Sequence, residues 1–166
     1  MVFTIVGGNT RQFKLQSDNG EVIFSTARKS FLKQAKKLYV GDKVCLDEDG
    51  CIYQVMPREN LLYRPKIANV DYMCVVTSLK RPDFSSYLLD KFLTYLNFQN
   101  IKPYIVFTKS DLLSDEELEK ITNYKHYYES IGIKAIIVSA KNPDSVKPLK
   151  EIIKGNTIAF MGQTGA

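Results

Sequence analysis

The first 57 residues alternate short apolar runs with clusters of turn-forming residues. Val2–Val6 stops at Gly7-Gly8-Asn9, Gln12–Gln16 stops at Ser17-Asp18-Asn19-Gly20, and Glu21–Thr26 follows. After a basic stretch come Lys43–Asp47 and Cys51–Met56, separated by a turn ending in Gly50. Gly-Gly-Asn and Asp-Asn-Gly supply the positive backbone angles of tight hairpins, so this spacing predicts five short strands. Five strands before Pro57 suggest a small closed barrel with the strand count of an OB-fold.

The pattern then changes. Tyr72–Thr77, Pro103–Phe107, Ile133–Val138 and Thr157–Met161 are continuously apolar rather than alternating. Between them, Leu88, Leu89, Phe92, Tyr95 and Leu96 recur at helical spacing within Ser85–Phe98. Ser114 and Glu117 form a capping-box pattern that opens a charged helix running to about Ile131. Ser145–Lys154 reads as a short helix. Strands apolar on both faces, alternating with helices, predict a covered parallel sheet. The chain therefore divides into an all-β barrel over residues 1–60, a connector over 61–70 and an α/β domain over 71–166.

With 166 residues, 45% of them hydrophobic, a buried core is attainable without staples. The formal charge of +5 is uneven: residues 1–107 carry 15 basic and 10 acidic side chains, whereas residues 108–166 carry 8 of each. A polyanionic partner is thus expected on the first two-thirds. Cys45, Cys51 and Cys74 include no CxxC and read as small buried hydrophobes in a reducing compartment. The lone histidine, His126, lies in a polar stretch and suggests no zinc site. The amino terminus has neither a basic leader nor a small-residue cleavage site, and no apolar run approaches membrane-spanning length. A soluble, cytoplasmic protein is expected.

Three of the four predicted parallel strands run into loops with possible chemistry, on the rim where open α/β sheets bind ligands. The first is Thr108-Lys109-Ser110-Asp111, of the form [N/T]KxD. An aspartate there can accept two parallel hydrogen bonds from guanine's ring N–H and exocyclic amine. Adenine offers no such donor pair, and discrimination of this kind reaches about 10⁴-fold. The stem of Lys109 can cover the base face. Taken alone, the string fits equally an ordinary strand–helix loop with Asp111 near a helix start. The second loop, Ser139-Ala140-Lys141, could aim the Ala140 N–H at the guanine oxygen, or be a plain turn of small residues. The third, Gly162-Gln163-Thr164-Gly165-Ala166, matches the start of GxxxxGK[ST], whose backbone N–H groups cradle phosphates. Alone it also fits a glycine-rich terminus. Together, each directly after a buried strand, the three favour nucleotide binding.

Their order is base loop, Ser-Ala-Lys loop, then phosphate loop, all after a barrel. That order resembles the circularly permuted GTPases of the RsgA family, which act in small-ribosomal-subunit biogenesis. Val40-Gly41-Asp42-Lys43-Val44 is similar to the family's barrel segment. Pro57-Arg58-Glu59-Asn60-Leu61-Leu62-Tyr63-Arg64-Pro65 and Ile67-Ala68-Asn69-Val70-Asp71 are similar to its connector. The resemblance implies a GTPase acting in late 30S maturation, with GTP and Mg²⁺ as ligands, the small subunit and its rRNA as partners, and a monomeric state. It assigns Thr108, Lys109, Ser110 and Asp111 to guanine, with Thr108 where many GTPases carry asparagine. Ser139, Ala140 and Lys141 would buttress the base, and Gly162, Gln163, Thr164, Gly165 and Ala166 would begin the phosphate site. The phosphate-loop lysine, the magnesium-binding hydroxyl, both switches and the family's zinc-binding C-terminal domain are not among these residues. Phosphoryl transfer depends on such positioned charges and the metal, so these residues alone are not expected to hydrolyse GTP.

Under the same resemblance the barrel would bind rRNA. Arg28, Lys29, Lys33, Lys36 and Lys37 form an acid-free run with Phe31 and Tyr39 nearby for base stacking, and Arg58 and Arg64 are further candidates. A solvated loop or short amphipathic helix explains the same run. Two rival readings remain: an OB-fold RNA-binding protein with a scaffold α/β domain, and a nucleotide-binding protein with another base preference.

Overall fold

Inward apolar side chains, among them Phe3, Ile5, Leu15, Val44 and Ile52, line the first set of strands: β1 (Val2–Gly8), β2 (Phe13–Gln16), β3 (Val22–Ser25), β4 (Lys43–Leu46) and β5 (Ile52–Val55). The computed structural model describes residues 2–9, 11–33, 37–63 and 65–166, with 32 and 33 as backbone only. Two compact units emerge, residues 1–69 and 70–166.

In the first unit the antiparallel order is β3-β2-β1-β4-β5. Beyond β3 the chain bridges to β5 in parallel at Ala27 and Ile52, with the Ile52 N–H donating to Thr26 O at 2.8 Å. The sheet thereby closes on itself around Phe3, Ile5, Leu15, Val44 and Ile52. A short helix α1 (Lys29–Lys33) follows, and Phe31 is buried within the unit. Phe31 is therefore a core residue, not a stacking platform for bases.

Residues 61–68, expected as connector, form a hairpin of β6 (Leu61–Tyr63) and β7 (Lys66–Ala68) within the first unit. Leu62 and Ala68 are buried, and Ala68 N–H donates to Val40 O at 2.9 Å. The hairpin approaches so closely that a Cβ on Gly41 would lie 1.9 Å from Ala68 O. Gly41 also has φ +88°, so glycine is required there on both counts.

The second unit contains β8 (Tyr72–Ser78), α2 (Ser86–Phe98), β9 (Lys102–Thr108), α3 (Asp115–Ser130), β10 (Lys134–Ile137), α4 (Lys147–Ile153) and β11 (Ile158–Gly162). All four strands are parallel, in the order β10-β9-β8-β11. The chain first builds outward from β8 to β10, then returns β11 to the other side of β8. The sheet thus has a topological switch point between β8 and β11. Cys74, Tyr104, Val106, Ile136 and Val138 pack on one face, under Leu149 and Ile152 of α4. Leu89, Leu93 and Leu96 are the buried residues of α2; Tyr95, expected on the apolar stripe, is exposed. Ser85 caps α2, and Ser114 with Glu117 completes the capping box of α3. The helix expected at 145–154 begins instead as a 3₁₀ turn, Pro143–Val146, before α4.

Candidate functional site

Parallel pairing in register brings the carboxyl ends of β9, β10 and β11 to one rim, and the three loops open there. The loop after β9 is tied to both neighbouring strands. Thr108 Oγ1 donates to Thr77 O on β8 at 3.3 Å, and Ser110 donates its N–H and its hydroxyl to Val138 O, both at 3.2 Å. Lys109 sits in the left-handed region, φ 62° and ψ 35°. Its ammonium donates to Arg81 O at 2.6 Å and Gly165 O at 2.5 Å, bridging the loop after β8 and the glycine loop.

Asp111 is held by two residues of the loop after β10. Ser139 Oγ donates to Asp111 Oδ1 at 2.7 Å, and Lys141 Nζ pairs with Oδ2 at 2.9 Å. The Ser139 hydrogen bond, then Lys141, hold the Asp111 carboxyl below the ordinary carboxylate range. It is an ionised acceptor whose own hydrogen-bond partners fix its plane. The Ser139 hydroxyl in turn accepts Lys141 N–H at 3.1 Å, while Ser139 N–H donates to Ser145 Oγ at 3.1 Å. Ser145 also reaches Asn142 O at 2.6 Å. Sequence reasoning missed this hydroxyl as an organiser of the loop, because its position suggested only the start of a helix. Ala140 is exposed, and its N–H has no acceptor among the described residues.

Gly162 ends β11 against β8 so tightly that a Cβ would lie 2.1 Å from Val76 O. The loop then turns, Ala166 N–H donating to Gln163 O at 3.0 Å and Gly165 adopting φ +80°. Strand contact at Gly162 and a positive angle at Gly165 explain why glycines stand at these positions.

The expected RNA-contacting residues are dispersed in role. Arg28 pairs with Asp47 and, at 2.6 Å, with Asp49. Arg58 forks onto Asp42 through Nε at 2.6 Å and Nη2 at 2.8 Å, donates to Lys37 O at 2.7 Å, and lies 4.8 Å from the Tyr39 ring centroid. Asp42 is fully buried. These two arginines are engaged in ion pairs, which sequence spacing could not show. Lys29 and Lys37 are exposed, with side chains unpartnered among the described residues. Lys36, Arg64 and the Lys33 side chain lie outside the described residues. The three cysteines are free; Cys74 is buried, which pushes its thiol up to about 11, and Cys45 and Cys51 are half-buried. His126 is exposed on α3 beside Glu129. Among the described residues no three His, Cys, Asp or Glu side chains gather as metal ligands, and no helix is long and apolar enough to cross a membrane.

A parallel sheet with these three loops on one rim, in this chain order, defines the class: an α/β domain of the GTPase kind with its loops permuted. Residues 55–166 match the RsgA GTPase family. The chain belongs to that family. It is 39% identical over 159 residues to a small ribosomal subunit biogenesis GTPase RsgA of Leuconostoc citreum, covering 93% of this chain and 52% of the relative. A Listeria monocytogenes protein named RsgA 1 is 41% identical over 150 residues, covering 88% and 51%. The crystal structure of YloQ, a circularly permuted GTPase, superposes with a TM-score of 0.89 at 31% identity, covering 99% of this chain and 60% of that one. YjeQ from Thermotoga maritima gives 0.88 at 31% identity, with the same coverage. The chain spans about half the length of the curated relatives it matches.

Proposed function

We propose that this chain carries the base-reading half, and the start of the phosphate-binding half, of a GTP-binding and GTP-hydrolysing factor for late maturation of the small ribosomal subunit. The observation that carries the reading is Asp111, ionised and oriented by Ser139, in a base loop whose Lys109 reaches the glycine loop at Gly165 O. Both guanine donors find carboxylate lone pairs at Asp111, and the N–H of Ala140 is available to the guanine oxygen. Thr108 and Ser110 hold the base loop to its neighbours, and Lys141 flanks the carboxylate. Gly162 to Ala166 begin the phosphate cradle. Mg²⁺ would arrive with the phosphates, taking nucleotide oxygens among its ligands and keeping several of its waters.

The first unit fits an OB-type barrel, because its closed order places β1 between β2 and β4 and brings the chain after β3 back onto β5. Its role is to bind ribosomal RNA through exposed lysines, Lys29 and Lys37 among them. A monomer working in the cytoplasm fits this role. Measuring GDP, GTP and ATP affinity of the full-length protein, free and with small subunits, tests the reading. Guanine-selective binding supports it. RNA binding indifferent to any nucleotide would instead favour an RNA-binding protein with a scaffold α/β unit.

A further inference from the structure

The loop after β8 lies at the switch point of the sheet, directly beside the glycine loop that follows β11. Ligands of open parallel sheets bind in the crevice at that point. The residues of this loop are anchored on both sides of Arg81. Ahead of it, Leu79 N–H donates to Thr108 O at 3.2 Å, Ser78 Oγ donates to Lys80 O at 2.8 Å, and the Lys80 ammonium is held by both oxygens of Glu117. Behind it, Phe84 packs edge-on against Phe107 and Tyr124. Arg81 itself is pinned through its carbonyl, which accepts the Lys109 ammonium that also reaches Gly165 O. Pro82 Cδ lies 3.9 Å from the position a Cβ would take on Gly165.

Arg81 is therefore held by its backbone against the glycine loop, in a left-handed conformation (φ 59°) that few non-glycine residues adopt. Its side chain is exposed and has no partner among the described residues. The neighbouring Lys80 is committed to α3, and Arg28 and Arg58 are committed to carboxylates. Backbone conformations of this kind, kept by surrounding contacts, concentrate at ligand clamps.

We propose that Arg81 is a nucleotide-binding residue, whose guanidinium contacts phosphate oxygens of the guanine nucleotide from the β8 side of the crevice. A planar fork of N–H donors suits phosphate oxygens, and the contact is charge-assisted. It supplements the backbone N–H groups of Gly162 to Ala166 with a full positive charge. The inference rests on the guanine-nucleotide reading of the site.

The test uses the full-length protein, wild type and Arg81→Gln, Arg81→Ala and Arg81→Lys, with a fluorescent GDP analogue and no ribosome present. Thermal melting confirms that each variant is folded. Loss of affinity of about tenfold in R81Q and R81A, with R81K recovering part of it, is the expected result. Equal affinity in wild type and R81Q would overturn the proposal while leaving the guanine reading intact. Unchanged GDP affinity with weakened co-sedimentation on small subunits would overturn it too, because Arg81 would then serve RNA phosphates. A wild-type protein that binds no guanine nucleotide would overturn the reading beneath it.

Discussion

Ser139 donates its hydroxyl to the carboxylate of Asp111 at 2.7 Å, across 28 positions of the chain and between the ends of two neighbouring strands. One hydrogen bond thereby joins the two loops that sequence reasoning could place only on the same rim. Ser139→Ala removes the donor and leaves Asp111 to Lys141 alone. Guanine-nucleotide affinity of the full-length protein should fall by roughly 1 kcal/mol, about fivefold, with ATP binding unaffected. Titration calorimetry checks this, and an equal loss for both nucleotides would place Ser139 outside base recognition.

The same contacts set a pH dependence. The folded pKa of Asp111 is depressed, chiefly by Ser139 and then by Lys141. What a depressed carboxylate contributes is present above its unfolded value of 3.8 and is lost only as pH falls through the still lower folded value. Guanine affinity should therefore stay flat from about pH 8 to about pH 5 and decline only in stronger acid. Affinity measured across that range would expose a different titrating group if it fell near neutrality.

Asp42 and Arg58 form the most enclosed ion pair among the described residues, the carboxylate fully buried and the guanidinium three-quarters so. Asp42 also accepts Tyr39 N–H at 2.8 Å, so the pair fixes the turn before β4. Arg58→Ala leaves a buried carboxylate without its cation and should destabilise the protein by about 3 kcal/mol. Urea unfolding of the full-length protein reads this directly. A change under half a kilocalorie, roughly that of an exposed surface pair, would show that the fork contributes little.

The lysines of the basic run 28–37 should carry the RNA contacts. Replacing Lys29, Lys33, Lys36 and Lys37 with glutamine removes up to four phosphate contacts. The log–log salt slope of small-subunit binding should then become shallower by roughly 3 to 3.5. Arg28→Gln should change the slope little, because Asp47 and Asp49 already hold that guanidinium. Slopes that move equally for Arg28 and for the lysines would contradict the assignment.

Most strands and helices were legible because each satisfies a local rule. Glycine pairs mark the hairpins, continuous apolar runs mark the parallel strands, and Ser114 with Glu117 marks the start of α3. What local rules omit is tertiary pairing. The β6–β7 hairpin escaped notice because three-residue strands around Tyr63-Arg64-Pro65-Lys66 read as polar connector, and its pairing with Val40 is distant in sequence. Arg28 and Arg58 looked free for the same reason, since their acids lie 19 and 16 residues away. Phe31 sits in a basic run yet faces the core, because a short helix turns it inward. At the site, residue types were visible in the sequence, but the bridge from Lys109 to Gly165, across 56 positions, required the sheet order to appear.

The central claim is that Asp111 reads guanine, and base exchange tests it most directly. Affinities of the full-length protein for GDP, XDP and ADP should be measured for wild type and Asp111→Asn. Wild type should prefer GDP, and D111N should lose that preference by about 10²-fold or more while gaining XDP, whose exocyclic C2 carbonyl calls for a donor where guanine carries an amine. An unchanged order of preference in D111N would contradict the account.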